Sequence, residues 1–185
     1  MGTNGGLDRR SRQTRKLVTA ALLIAVGLVI PQLFHGVPQG GNIFLPMHIP
    51  VLLAGFLLGP AYGLWIGAAL PVVSSLVMNM PPPARLPFMV GELLTYGLVS
   101  GLLYRRLREV KGGIPITLVA AMVAGRAMYA LLLAGATYLL YIECGGVIAA
   151  VTATVTGVPG IIIQLVLAPT LVYALKRGGI LDELE

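Results

Sequence analysis

Residues 17–30 read LVTAALLIAVGLVI, and this run decides the fold class. It carries no charged side chain. A transmembrane β-strand would alternate apolar and polar side chains, and the run shows no such alternation. Helices and closed barrels are the two architectures that satisfy every backbone group inside a bilayer. The run therefore predicts a membrane-spanning helix.

The rest of the chain has the same character. Its 185 residues are 57% hydrophobic and 11% charged, with a mean hydropathy of +0.89, whereas soluble domains carry about 25% charged residues. A span needs about 20 mostly apolar residues, so the chain has room for six helices and short connections. We predict an all-α integral membrane protein, a single bundle of six transmembrane helices. The predicted spans are residues 17–34, 47–58, a third ending near 78, 86–104, 114–141 and 158–175.

Cationic residues mark one side of the bundle. Of the 13 Lys and Arg residues, 11 lie before the first span, after the fourth or after the last. With six spans these three places share one side, which the positive-inside rule assigns to the cytoplasm, so both chain ends are predicted inside. The predicted domains are a basic cytoplasmic segment (1–16), the transmembrane domain (17–177) and a solvated cytoplasmic tail (178–185). The loops predicted outside are 36–46, 79–85 and 142–156.

The sequence lacks the residue patterns that several kinds of chemistry require. Cys144 is the single cysteine, so no internal disulfide can form, and no Cys/His cluster has the spacing of a metal site; we predict no metal and no cofactor. The cations flank apolar spans, which argues against nucleic-acid binding. Serine–base pairs, HExxH, paired carboxylates and phosphate-binding Gly-rich loops are missing, so we predict no enzyme and no ATP hydrolysis by this chain.

Three strongly polar side chains fall inside predicted spans: Glu92, Arg126 and Gln164. Such groups are costly in a bilayer and need a partner or a function. Glu92 lies about 9 Å into its span at about 1.5 Å per residue, and Gln164 lies at a similar depth. Tyr96 and Tyr129 follow Glu92 and Arg126 at helical spacing. These residues could line one polar pocket, or Glu92 and Arg126 could form a buried structural ion pair.

A second polar group is predicted near the outer face, where a ligand from outside would first meet the protein. Its members are Asn42, His48, Asn79 and Arg85. His48 stands beside proline in MHIP, a setting that also suits a residue capping a helix start. On the first span, Ala21 and Ala25 are spaced by four, so another helix could approach closely there.

Several stretches together carry a family resemblance. They are the Ala21-x-x-x-Ala25 pattern behind a basic start, FLPMHIPVLLAGFLLGPAYGLWIG from 44 to 67, SLVMNMPP from 75 to 82, and ELLTYGLVSGLLYRR from 92 to 106. In these stretches, in length and in span number, the chain resembles the substrate-specific S components of energy-coupling factor (ECF) transporters.

The resemblance implies a six-helix subunit of a prokaryotic plasma membrane that captures a water-soluble vitamin or vitamin precursor at its outer face. The first, third and fifth loops and the fourth to sixth helices would hold the ligand, and these regions carry Asn42, Asn79, Glu92, Arg126 and Gln164. It also implies that Ala21 and Ala25 dock on a transmembrane coupling subunit, with two ATPase subunits driving import.

The ligand stays open at this point. An Arg126 that Glu92 does not fully neutralise would favour a carboxylate such as pantothenate, niacin or folate. A closed pair would favour a neutral heterocycle, for example an azole base or nucleoside that is a cobalamin precursor. Two further hypotheses are a stand-alone proton-coupled transporter that uses Glu92 or His48, and an intramembrane enzyme.

Overall fold

The apolar runs, separated by Gly and Pro, fold as helices. The structure is a computed structural model that describes residues 4–34 and 36–184, and for residues 4–9, 182 and 183 it describes the backbone alone. Within that part of the chain every regular element is α-helical. The helices are α1 (Asn4–Gln32), α2 (Gly40–Phe44), α3 (His48–Leu58), α4 (Pro60–Met78), α5 (Leu86–Leu107), α6 (Gly113–Tyr138), α7 (Gly146–Thr156), α8 (Val158–Arg177) and α9 (Ile180–Leu184).

Six segments of the described chain are long and apolar enough to cross a membrane. Five are α1, α4, α5, α6 and α8, and the sixth is Gly40–Leu58, which joins α2 to α3. The predicted six-helix, all-α membrane architecture is therefore confirmed. We call the helix ends that carry the cationic clusters the inner ends and the opposite ends the outer ends.

One contact links two of the cationic clusters at the inner side. Lys176 Nζ, in the last turn of α8, donates to the backbone oxygen of Arg108, which follows α5, at 3.4 Å. Cations in the last turns of α5 and α8 also face the partial negative charge of those helix ends.

Helix α3 lies at the centre of the bundle. All 11 of its residues are buried, although the helix is only about 16 Å long at about 1.5 Å per residue. A bilayer core is about 30 Å thick, so α3 alone cannot span it. Neighbouring protein encloses the break between α2 and α3, where Leu45 has a left-handed backbone and Pro46 and Met47 are also buried. Irregular backbone at membrane depth is tolerated where protein covers it.

The inner halves of α3, α4 and α5 meet through glycine. We call Gly55, Gly63, Gly97 and Gly101 the glycine seam. A Cβ on Gly55 would lie 2.6 Å from the carbonyl oxygen of Gly97, and a Cβ on Gly63 or Gly97 would overlap the other's carbonyl group. Because backbone meets backbone here, the three helices pack more closely than side chains would allow.

Several segments differ from the prediction. Helix α1 begins at Asn4, so the described part of the predicted basic segment is helical and continuous with the first span. The segment 142–156, predicted as an outer loop, contains the 11-residue α7, and α6 ends at Tyr138, before the predicted end at 141. Residues 1–3 of the predicted first segment and residue 185 of the predicted tail lie outside the described residues.

The solvated tail is the clearest correction. Its residues 180–184 form α9, and Leu181 and Leu184 are each only 3% exposed, within the same apolar core as α3. The spacing of these two leucines by three places them on one helix face. Burial of that face holds the tail against the bundle.

Candidate ligand-binding site

Glu92 is the centre of a buried polar cluster. One of its carboxylate oxygens, Oε1, lies 3.2 Å from Arg126 Nη1 and 3.5 Å from His48 Nε2. The side chains of Glu92, Arg126 and His48 are 4%, 14% and 2% exposed. The sequence left open whether Glu92 and Arg126 contact each other, and in the structure their side chains form an ion pair.

His48 belongs to this cluster and does not cap its helix. It is the first residue of α3, but neither ring nitrogen has a hydrogen-bond partner among the described residues. The imidazole instead packs edge-on against the Tyr96 ring, with centroids 5.1 Å apart. The suggested helix-capping role is therefore wrong, because the ring turns inward toward Glu92.

Tyr96 lies one turn below Glu92 on α5 and is fully buried. Its ring fits against α6 because residue 125 is glycine: a Cβ there would lie 2.6 Å from two carbons of the ring. The Tyr96 hydroxyl has no hydrogen-bond partner in the described chain. A buried hydroxyl in that state is available to a ligand.

The outer end of α8 packs against Arg126. A Cβ on Gly157 would lie 3.2 Å from Arg126 Nη2, so the glycine leaves room for the guanidinium. Both Nη2 and Nε of Arg126 are buried without a hydrogen-bond partner. Arg126 is thus paired on one nitrogen and still has donors to offer.

Gln164 lies on the inward face of α8, two turns below Gly157. Gly160, Gln164, Ala168 and Val172 form the buried stripe of this helix at a spacing of four. Gln164 has no exposed surface, and both atoms of its amide lack a hydrogen-bond partner among the described residues. It adds one donor and one acceptor at the depth predicted for the pocket.

The outer mouth above the cluster is built from short segments. Arg85 Nη1 donates to Asn42 Oδ1 at 3.4 Å, which joins the first outer loop to the start of α5. Phe44 stacks on Phe34 at 4.6 Å, and a Cβ on Gly160 would lie 2.6 Å from the Phe44 backbone. These contacts hold α2 against α8 and against the turn that follows α1.

The remaining predicted residues lie apart from the cluster. Asn79 is exposed at the end of α4, where its left-handed backbone (φ 53°) ends the helix. Tyr129 is half-buried, and its ring packs edge-on against Phe88 at 6.5 Å. The predicted set therefore divides into a buried cluster of His48, Glu92, Tyr96 and Arg126, a separately buried Gln164 on α8, and outer residues.

A cavity of about 210 Å³ lies between α6 and α7 and is open on one side; Arg126 lines it, and three residues of its α7 wall, Val147, Val151 and Val155, are 46%, 57% and 66% exposed. The other lining side chains are small and mostly aliphatic: Ala130, Val147, Ala150, Val151, Thr154 and Val155. Sequence reasoning missed these residues because Ala and Val in an apolar run give no signal of a site. The one available signal was the unusual density of small residues after 145.

Ala21 and Ala25 lie on the outward face of α1. Both are exposed, together with Leu17, Val18, Leu22 and Val29, while Ala20, Leu23 and Gly27 face the bundle. Because both side chains are small, Ala21 and Ala25 form a shallow depression on the lipid-facing surface of α1.

The described residues contain no group of three or more His, Cys, Asp or Glu side chains that could hold a metal ion. The family model for the ECF transporter substrate-specific component matches residues 15–172. The comparison with individual curated proteins found no match.

The match covers most of the chain, from the basic part of α1 through the inner half of α8. The structure is a bundle with six segments long and apolar enough to span a membrane, and it holds a buried polar cluster toward its outer ends. The chain belongs to the family of ECF transporter substrate-specific components. It is thus a multi-pass membrane protein of a family of transporter subunits that associate with a coupling subunit and ATPases.

Proposed function

We propose that this chain captures a water-soluble vitamin or vitamin precursor at the outer face of a prokaryotic cell membrane. A transmembrane coupling subunit and two ATPase subunits then complete its delivery to the cytoplasm. Pantothenate, niacin, folate and an azole cobalamin precursor are the starting candidates.

The observation that carries the proposal is the set of unpartnered polar atoms in the outer half of the bundle. They come from α3, α5, α6 and α8, and belong to His48, Tyr96, Arg126 and Gln164, while Glu92 Oε1 is engaged by the ion pair with Arg126. Each buried polar atom without a hydrogen bond costs about 1–3 kcal/mol. A purely structural ion pair would not need so many unused donors and acceptors, whereas a polar ligand would use them.

Ligand binding can be tested on the purified chain without nucleotide. We expect one member of a vitamin panel to raise the unfolding temperature, since a ligand at 100 times its Kd stabilises the folded state by about 2.7 kcal/mol. Gln164→Leu should abolish the shift. Thr117→Val is the matched control, because Thr117 is also buried and unpartnered but lies nearer the inner end of α6. A folded protein that responds to no compound would refute the proposal.

Docking on the coupling subunit is proposed for the exposed face around Ala21 and Ala25. Replacing both by Leu should abolish co-purification with the coupling subunit and ATP-dependent uptake, while ligand binding and stability stay unchanged. Ala127→Leu is the control, since Ala127 is an exposed alanine on α6. Normal co-purification of the Ala21→Leu/Ala25→Leu variant would exclude this face.

A second candidate is a stand-alone proton-coupled transporter, which the buried contact between His48 and Glu92 favours. It predicts uptake in proteoliposomes that hold this chain alone, and loss of that uptake when a protonophore collapses the gradient. The importer proposal predicts no accumulation without the ATPase subunits. The same vesicles distinguish the two functions.

A further inference from the structure

The charges of the buried cluster constrain the ligand. Glu92 and Arg126 lie 3.2 Å apart with little exposure, so their charges cancel. His48 contacts the same carboxylate oxygen. A ligand carboxylate would place a second negative charge beside Glu92, and like charges at close range in a buried site are unfavourable. A neutral ligand adds no net charge beside the Glu92–Arg126 ion pair.

Arg85 is a further cation on the outer side, and it faces Asn42 at the mouth. It lies at the start of α5, about two turns before Glu92, and is exposed to solvent. Solvent screens exposed charges much more strongly than buried ones. Arg85 therefore contributes little to holding an anion at the depth of Glu92.

The free polar atoms of the cluster and of Gln164 offer both kinds of hydrogen bond. Arg126 Nε and Nη2 are donors only, whereas the Tyr96 hydroxyl and the Gln164 amide can donate and accept. A ring edge that combines an acceptor nitrogen with an N–H or carbonyl group would match these atoms. Such an edge needs no net charge.

The cavity between α6 and α7 supplies the apolar complement. Its volume of about 210 Å³ lies below the roughly 300–1,000 Å³ of pockets for drug-sized ligands. One or two rings fit that space. Arg126 lines the cavity and also contacts Glu92, so it joins the apolar and polar parts of the site.

We propose that the site takes a neutral nitrogen heterocycle of one or two rings. Its polar edge meets Arg126, Tyr96 and Gln164, and its apolar edge enters the cavity between α6 and α7. This inference rests on the proposed function and narrows it to one substrate class.

Matched pairs of compounds test the charge. Nicotinamide against nicotinate, and benzimidazole against benzimidazole-5-carboxylate, differ mainly in a carboxylate. We expect the neutral member of at least one pair to bind the full chain at least tenfold more tightly in calorimetric titration. The inference is overturned, and the proposed function left intact, if in every pair that binds the carboxylate binds as tightly as its neutral partner, or if only pantothenate, folate or another compound outside the class binds. Absence of binding by every compound, with the protein folded, overturns both.

Substitution in the cavity tests the location. Ala150→Leu fills space between the two helices, and should weaken binding of the two-ring ligand at least tenfold more than Ala127→Leu, which lies outside the lining residues. Ala130→Val gives a milder version if Ala150→Leu does not fold. Unchanged affinity in a folded cavity variant would exclude the cavity as the ligand site.

Discussion

The inner and outer halves of the bundle are held together differently. In the inner half, the glycine seam brings the backbones of α3, α4 and α5 into contact. The outer half contains the short helices α2 and α7 and a buried cluster in which several polar atoms are unpartnered. The inner half fixes the positions of the helices, and the outer half keeps hydrogen-bonding capacity for another molecule. Stability and recognition are thus assigned to different ends of the same helices.

The largest effect is expected in the seam. Gly97→Leu should prevent accumulation of folded protein, because even a Cβ at this position overlaps the carbonyl group of Gly63. Gly135→Leu is the control, since a Cβ on Gly135 meets nothing within 4 Å. Size-exclusion chromatography of the detergent-solubilised variants measures the folded fraction. A Gly97→Leu protein that is monodisperse and binds ligand would contradict the role of the glycine seam in fixing the helix positions.

The ion pair should give the next largest effect. Glu92→Gln or Arg126→Gln leaves one buried charge without its partner, a change that costs about 3–5 kcal/mol in measured cases. The double variant should unfold at a higher temperature than either single variant, because it removes both charges. All three should lose ligand binding. Retained binding in the double variant would assign the pair a structural role alone.

Tyr96→Phe should separate packing from recognition. The ring that contacts His48 and Gly125 stays, and only the unpartnered hydroxyl is lost. We expect unchanged or slightly higher thermal stability and about a tenfold weaker Kd, since a hydrogen bond contributes about 0.5–1.5 kcal/mol. Equal affinity in the Phe variant would remove the hydroxyl from the site.

The smallest effect is expected at Asn79. Its backbone is left-handed, a conformation that glycine adopts without strain, and its side chain is exposed. Asn79→Gly should change stability by less than about 0.5 kcal/mol and leave the Kd nearly unchanged. A marked loss of affinity would extend the site from the buried cluster to the second outer loop, 79–85.

The sequence allowed prediction of the parts that follow from hydrophobicity and charge. Span number follows from long apolar runs, and Glu92, Arg126 and Gln164 were identifiable because polar groups are rare at membrane depth. Burial of His48 was not predictable, since it depends on α3 lying at the bundle centre. The residues that line the α6–α7 cavity were also not predictable, because an Ala or Val such as Ala150 or Val155 occurs equally at positions that face lipid, protein or a ligand.

The glycine seam has a consequence for how such a subunit can change. Its helix frame depends on backbone contacts that no ligand-facing side chain supplies. We therefore expect substitutions at the proposed ligand contacts Tyr96, Ala150 and Gln164 to alter ligand binding while the frame persists. A library randomised at these positions alone is a practical route to redirect the subunit toward a new nutrient or to convert it into a membrane-bound sensor.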